Sequence, residues 1–167
     1  YRARYPRITA REDGFWTICE QAITAMCEGR EFVFGGPNGI FRTAKDRVYT
    51  PQGLWLDYRD IKRDDAGQAT YFNGRNRTKI YGGLFTENLD QHIHRTEVAE
   101  PMLEISARYK VALWTYDAVA AVVPEGRAEE AKAFMIRELS RTPEWAPGLP
   151  LAAEGGIGRT LAEAKPK

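Results

Sequence analysis

Cysteine and histidine are scarce. Two cysteines in 167 residues, Cys19 and Cys27, cannot build a disulfide framework. Eight residues apart on a helical pattern, they suit a reduced, buried face better than a metal site, which points to the cytoplasm. The two histidines, His92 and His94, would lie about 200° apart around a helix axis. They cannot share a metal from one face and read as an exposed pair. Charge of one sign is also lacking: 24 Lys and Arg face 23 Asp and Glu, a net charge of +1, which argues against a polycationic coat and against an acidic tail. No run approaches the roughly 18 to 20 apolar residues of a membrane span, and no apolar segment backs the basic opening. The expectation is a chain with neither membrane helix nor signal peptide.

What is present is a hydrophobic fraction of 43% on about one domain's length, enough to bury a core. Residues 1–82 carry 14 basic and 10 acidic side chains, and 83–167 carry 10 and 13, so a polyanion would lie against the first part. There is no initial Met, and Tyr1 to Pro6 reads like the middle of a helix that has been cut, the mark of a fragment.

Between Thr9 and Glu28, Phe15, Ile18, Cys19, Ala22, Ile23, Met26 and Cys27 recur at helical spacing. Thr9 is the expected N-cap, with Glu12 completing a capping box, and Gly29 the expected stop. From Glu31 to Ile80, short aromatic and β-branched runs alternate with turn signals at 35–39, 51–53, 64–67 and 73–74, so strands are expected. A second helix should follow Gly83, with Thr86 as N-cap, an apolar stripe including Leu89, Ile93, Val98, Leu103 and Ile105, and a kink or break at Pro101. Val111–Thr115 and Val119–Val123 read as a hairpin with Asp117 at its tip. A helix over 128–141 and a short strand over 151–154 complete an expected α+β fold: a small antiparallel sheet backed by the 86–108 and 128–141 helices.

Asp117 stands out as an acid between two apolar strands, where desolvation would be costly unless a cation or donors compensate it. The competing interpretation is an aspartate bonding its own turn. Leu56 to Ile61 holds paired acids, but in so charged a region a solvated edge is expected. Gly155-Gly156-Ile157-Gly158 lacks the Lys and Ser or Thr of a phosphate loop and reads as a turn. No Ser, Cys or Thr has a convincing His partner.

Four segments, in order, resemble the C-terminal part of a phage-type family A DNA polymerase. Tyr1-Arg-Ala-Arg-Tyr-Pro-Arg-Ile8 resembles the Tyr-Pro stretch after the fingers helix. Tyr81-Gly-Gly-Leu-Phe-Thr-Glu-Asn-Leu-Asp-Gln91, with Arg95, resembles the palm helix that reaches the minor groove. Val111 to Pro124 resembles the motif C hairpin, and Trp145 to Gly158 with Ala164-Lys165 the terminal segment. The match is dense over 81–167 and loose over 9–80. Tyr116 departs from the family's usual His, and Thr96 from the Asp that often follows the Arg in phage relatives. The first departure leaves a phenol at the primer end, able to donate a hydrogen bond but not to gain charge near neutral pH.

The resemblance implies a palm fragment: residues 1–82, a helix and turn-rich strands after the fingers, then 83–167, the C-terminal palm. It implies nucleotidyl transfer with two Mg²⁺ ions, Asp117 as the motif C metal ligand and Tyr116 beside it as a catalytic residue. Asn88, Gln91, Arg95, Arg75 and Arg77 are the implied DNA contacts. The implied partners are primer-template DNA, a dNTP and the motif A, fingers and thumb segments, without which the chain is expected to be inactive. A different class competes with this, a non-catalytic nucleic-acid-binding module using Arg42, Lys45, Arg47, Arg59, Lys62, Arg63, Arg75 and Arg77.

Overall fold

The computed structural model describes residues 4–165; the segment read as a cut helix lies in part outside them. The fold is α+β, with small antiparallel sheets and several helices. The chain forms two compact units, Tyr1–Ile93 and His94–Lys167.

In the first unit, α1 (Pro6–Thr9) and α2 (Phe15–Glu28) are separate helices. Thr9 does not cap α2. Its hydroxyl donates to the Tyr5 carbonyl (2.9 Å), and the N-cap is Gly14. A Cβ at Gly14 would meet the Ala10 backbone at 2.5 Å, so the chain folds back on itself where a continuous helix was expected. Gly29 ends α2 in the left-handed conformation (φ 69°), as the sequence implied.

The turn signals separate β1 (Val33–Phe34), β2 (Phe41–Ala44), β3 (Arg47–Tyr49) and β4 (Trp55–Asp57), which pair in that order, from β5 (Lys62–Arg63), β6 (Ala69–Phe72) and β7 (Arg77–Lys79). The expected single sheet is therefore three, counting the hairpin of the second unit. Strands of two to four residues bury too little to stand alone. They gain their core from α2 and the start of α3 (Gly82–Arg108), through Ile23, Met26, Phe34, Phe41, Val48, Tyr58, Ile61, Phe85 and Leu89. Each fully buried apolar side chain of this kind contributes about 1.5–3 kcal/mol. A side chain outside any strand links the two sheets: Asp46, left-handed at φ 64°, accepts the Ile61 N–H on its carboxylate (3.0 Å) and the Tyr58 N–H on its carbonyl (2.6 Å).

The start of α3 is also capped from elsewhere. Glu20 of α2 accepts the Gly82 N–H, one of the donors a helix start leaves unpaired. Thr86, the expected N-cap, lies inside the helix, its hydroxyl donating back to the Gly82 carbonyl (2.8 Å). Only glycine fits at 82, because a Cβ there would run into the Trp16 carbonyl.

In the second unit α3 continues without a break through Pro101 to Arg108. Pro101 is buried, as are Val98, Ile105 and Tyr109, so packing holds the helix across the missing hydrogen bond. Leu103, assigned to the apolar stripe, is 62% exposed. Next come the hairpin β8 (Lys110–Thr115) and β9 (Ala118–Val122), a 3₁₀ turn at Glu125–Arg127, and α4 (Ala128–Leu139). Tyr109 packs edge-on against Phe134 of α4 (5.7 Å between centroids), and Glu130 pairs with Arg108 and Arg127.

The strand expected over 151–154 does not form; its chain instead bonds α4's end through Ala153 N–H to Ser140 Oγ (3.0 Å). Nor do the glycines that follow make a left-handed turn. Gly156 and Gly158 are small because the chain returns against them at 163–165. Among the described residues no helix is long and apolar enough to cross a membrane.

Phe85, fully buried between the strands and α2, tests this core. Phe85→Ala should cost about 3–5 kcal/mol and Leu103→Ala less than about 0.5 kcal/mol, measured by urea unfolding. Equal losses would mean the core is misplaced.

Candidate functional site

Two apolar runs, Val-Ala-Leu-Trp-Thr and Ala-Val-Ala-Ala-Val, build β8 and β9, which pair from Lys110↔Val122 to Thr115↔Ala118 with an irregularity between Val111 and Leu113. The loop is therefore two residues, Tyr116 and Asp117. Such loops need a left-handed residue, and here it is Tyr116 (φ 51°). The Trp114 indole N–H donates to the Tyr116 carbonyl (3.0 Å) and holds the tip.

Both tip side chains point away from any core: Tyr116 is 88% exposed and Asp117 is exposed. The desolvation expected at Asp117 is absent, because two strands alone cannot surround it. No Asx bond forms either; among the described residues the Asp117 carboxylate has no hydrogen-bond or ion-pair partner. A hard, hydrated carboxylate oxygen is the donor type Mg²⁺ takes. Among the described residues no group of three or more His, Cys, Asp and Glu could hold a metal ion, so Asp117 is a lone ligand candidate.

The palm-helix candidates differ in their freedom. The Asn88 amide donates to the buried Tyr58 hydroxyl (3.0 Å), whose pKa burial pushes up, so Asn88 has one donor committed inward. Gln91, one turn on and exposed, donates to Glu87 (3.2 Å). Arg95, in the second unit, is exposed.

The basic candidates of the first unit fall into two sets. Arg77 is built into the fold: it pairs with Asp60 and donates to the Asp60 carbonyl (2.8 Å) and to Thr70. Arg42 pairs with Glu31, Arg47 with Asp57, and Lys62 with Asp60, while Arg63 donates to Gly67 and Thr24. Lys45, Arg59 and Arg75 are exposed and have no carboxylate partner among the described residues.

The acids of 56–61 form the solvated edge expected of them, and Arg77, then Lys62, holds the exposed Asp60 carboxyl below its usual range. His92 is half-buried, with Nε2 3.5 Å from Thr50 Oγ1, while His94 is exposed. They are not the exposed pair the spacing suggested. The sequence reading passed over Tyr49 and Trp55, which share the outward face of their sheet. Their signal was the alternation in Arg47-Val48-Tyr49 and Trp55-Leu56-Asp57, where only the middle residue turns inward.

Cys19 is no nucleophile. Burial pushes its thiol up to about 11, against the opposing hydroxyl bond from Thr86, and the half-buried Cys27 is raised by burial too. At pH 8 a thiol reagent should label Cys27 first and Cys19 only on unfolding, as read by mass spectrometry. Because folding holds Cys19 protonated, its contribution to stability is whole below the ordinary 9.0 and is lost as pH rises from there toward about 11. Equal labelling rates would contradict the buried placement.

No protein-family model, curated protein or solved structure matches the chain.

Proposed function

We propose that this chain is the C-terminal palm portion of a phage-type family A DNA polymerase, acting in the cytoplasm of a bacterial host and transferring nucleotides to a primer 3′ hydroxyl. The observation that carries the proposal is the tip of the β8–β9 hairpin, which presents an exposed carboxylate without a partner in the order of motifs that resembles that family.

The reaction joins the primer 3′ oxygen to the α-phosphate of a dNTP and releases pyrophosphate. Two Mg²⁺ ions, when bound, favour the 3′ alkoxide and offset the triphosphate's charge. Asp117 would hold them with a carboxylate supplied by motif A outside these residues, since one Asp cannot fill the six oxygen positions of Mg²⁺. Tyr116 would donate its phenolic hydrogen bond at the primer end. Gln91, Arg95 and the remaining donor capacity of Asn88 would face the minor groove, whose acceptors are shared by A·T and T·A pairs and carry little sequence information.

Phosphate neutralisation falls to Lys45, Arg59 and Arg75. Arg77, which also donates to the Asp60 carbonyl and to Thr70, would first have to leave these partners.

Two measurements test the proposal. Asp117→Asn in the full-length parent should slow single-turnover incorporation on the order of 10³-fold or more, with thermal unfolding unchanged; the 167-residue chain alone should incorporate nothing. A full-rate Asn variant would leave Asp117 as a turn residue. Separately, three phosphate contacts give an expected slope of about −3 for log affinity against log salt on a primer-template duplex. A slope near zero would remove the first unit as a DNA contact surface.

A further inference from the structure

The register of the four-stranded sheet puts Val33, Arg42, Tyr49 and Trp55 in one row across β1, β2, β3 and β4, and Ala44, Arg47 and Asp57 in the next row on the same face. The opposite face carries Phe41, Thr43 and Val48 into the core. The first face is turned outward, yet it holds two large aromatic rings, with Trp55 47% exposed.

The rings and the guanidinium groups are interleaved. Tyr49 and Trp55 lie 6.2 Å apart between centroids. The Arg42 guanidinium carbon sits 4.9 Å from the Tyr49 centroid, and that of Arg47 sits 5.4 Å from the Trp55 centroid. Lys45, in the β2–β3 loop, reaches the other way, toward Gly29 at the end of α2, so the cations of this face are Arg42 and Arg47.

We infer that this face is a stacking platform for single-stranded nucleic acid. Bases stack on aromatic rings and on guanidinium planes irrespective of sequence, and cations beside the rings follow the phosphates. A duplex keeps its bases inside and cannot use such a face, which makes an unpaired strand the matching ligand. The pairs of Arg42 with Glu31 (3.2 Å) and Arg47 with Asp57 (3.6 Å) are solvent-exposed. Exposed pairs of that kind contribute little, so a phosphodiester can replace the carboxylate. The identification of the strand as DNA rests on the polymerase proposal above, and the template ahead of the primer is the single strand it supplies.

The test uses the 167-residue chain, a fluorescein-labelled oligothymidylate of about 12 nucleotides and a primer-template duplex of similar length, both followed by anisotropy at low salt. Trp55→Leu keeps the apolar character of the site but removes the π-face. It should weaken oligothymidylate binding about tenfold or more and leave duplex binding unchanged, while Trp55→Phe retains most of the single-strand affinity. A melting curve of each variant separates loss of the site from loss of the fold.

If oligothymidylate binds and Trp55→Leu binds it as tightly as the parent chain, the face is not the site, and the polymerase proposal is untouched. If Trp55→Leu only lowers the melting temperature, the rings are a stabilising cross-strand pair and the inference falls. Failure of the unaltered chain to bind either probe would overturn both it and the proposed DNA contacts.

Discussion

Phe85 lies where the first unit's elements meet. Its ring is 5.3 Å from Tyr58 and 6.3 Å from Phe34, centroid to centroid. Tyr58 in turn meets Tyr71 edge-on at 5.1 Å, so one residue of α3 touches aromatic groups tied to both sheets. The next residue, Thr86, reaches Cys19 on α2. Among this unit's described residues no strand exceeds four residues, and a strand that short cannot offset the entropy of its own ordering. The shared apolar centre is what makes the two sheets and two helices one cooperative body.

The entry of α3 into that centre restricts two further residues. Gly82 must lack a side chain because the Trp16 carbonyl passes over it, and its N–H must find an acceptor, which Glu20 supplies. The cap comes from 62 residues earlier in the chain and no local pattern announces it. Asp46 plays the same part between the sheets, its left-handed backbone offset by two hydrogen bonds to residues beyond β4. With the inner faces consumed in this way, the outward row of Arg42, Tyr49 and Trp55 lies outside the core, Tyr49 half-buried and Trp55 47% exposed.

What was legible in the sequence was whatever depends on neighbours in the chain. The turns between the strands, the helical stripe of α2, the left-handed Gly29 and a hairpin with Asp117 at its tip follow from local spacing and turn chemistry, although the connection expected over 116–118 is only Tyr116 and Asp117, with Ala118 already paired in β9. What was not legible depends on distant atoms. Thr9 looked like a cap because nothing local says that Gly14 must approach Ala10. Pro101 looked like a break because its burial beside Val98 and Ile105 is tertiary. Residues 151–154 have strand composition but no partner strand. Asp117 does lie at the hairpin tip, but exposure removes the desolvation cost assumed for it.

Beside the exposed Asp117, Tyr116 is the second unusual residue of the tip. An aspartate at a hairpin tip costs nothing in folding and is ordinary turn chemistry, so it is its place in the order of motifs that gives it weight. A tyrosine in the left-handed region is different. Bulky side chains adopt that conformation at a cost of about 1–3 kcal/mol, and Asn or Gly would serve the turn without it. The Tyr116 ring recovers none of this by burial, being 88% exposed. A local rule broken with only the Trp114 N–H bond to the Tyr116 carbonyl to offset it is the pattern expected where a side chain answers to something other than folding. Under the polymerase proposal that something is the primer end, which the phenol meets with a hydrogen bond beside the Asp117 carboxylate. Under that proposal the strained tyrosine and the unstrained acid act as one tip, the first at a cost to folding and the second at none.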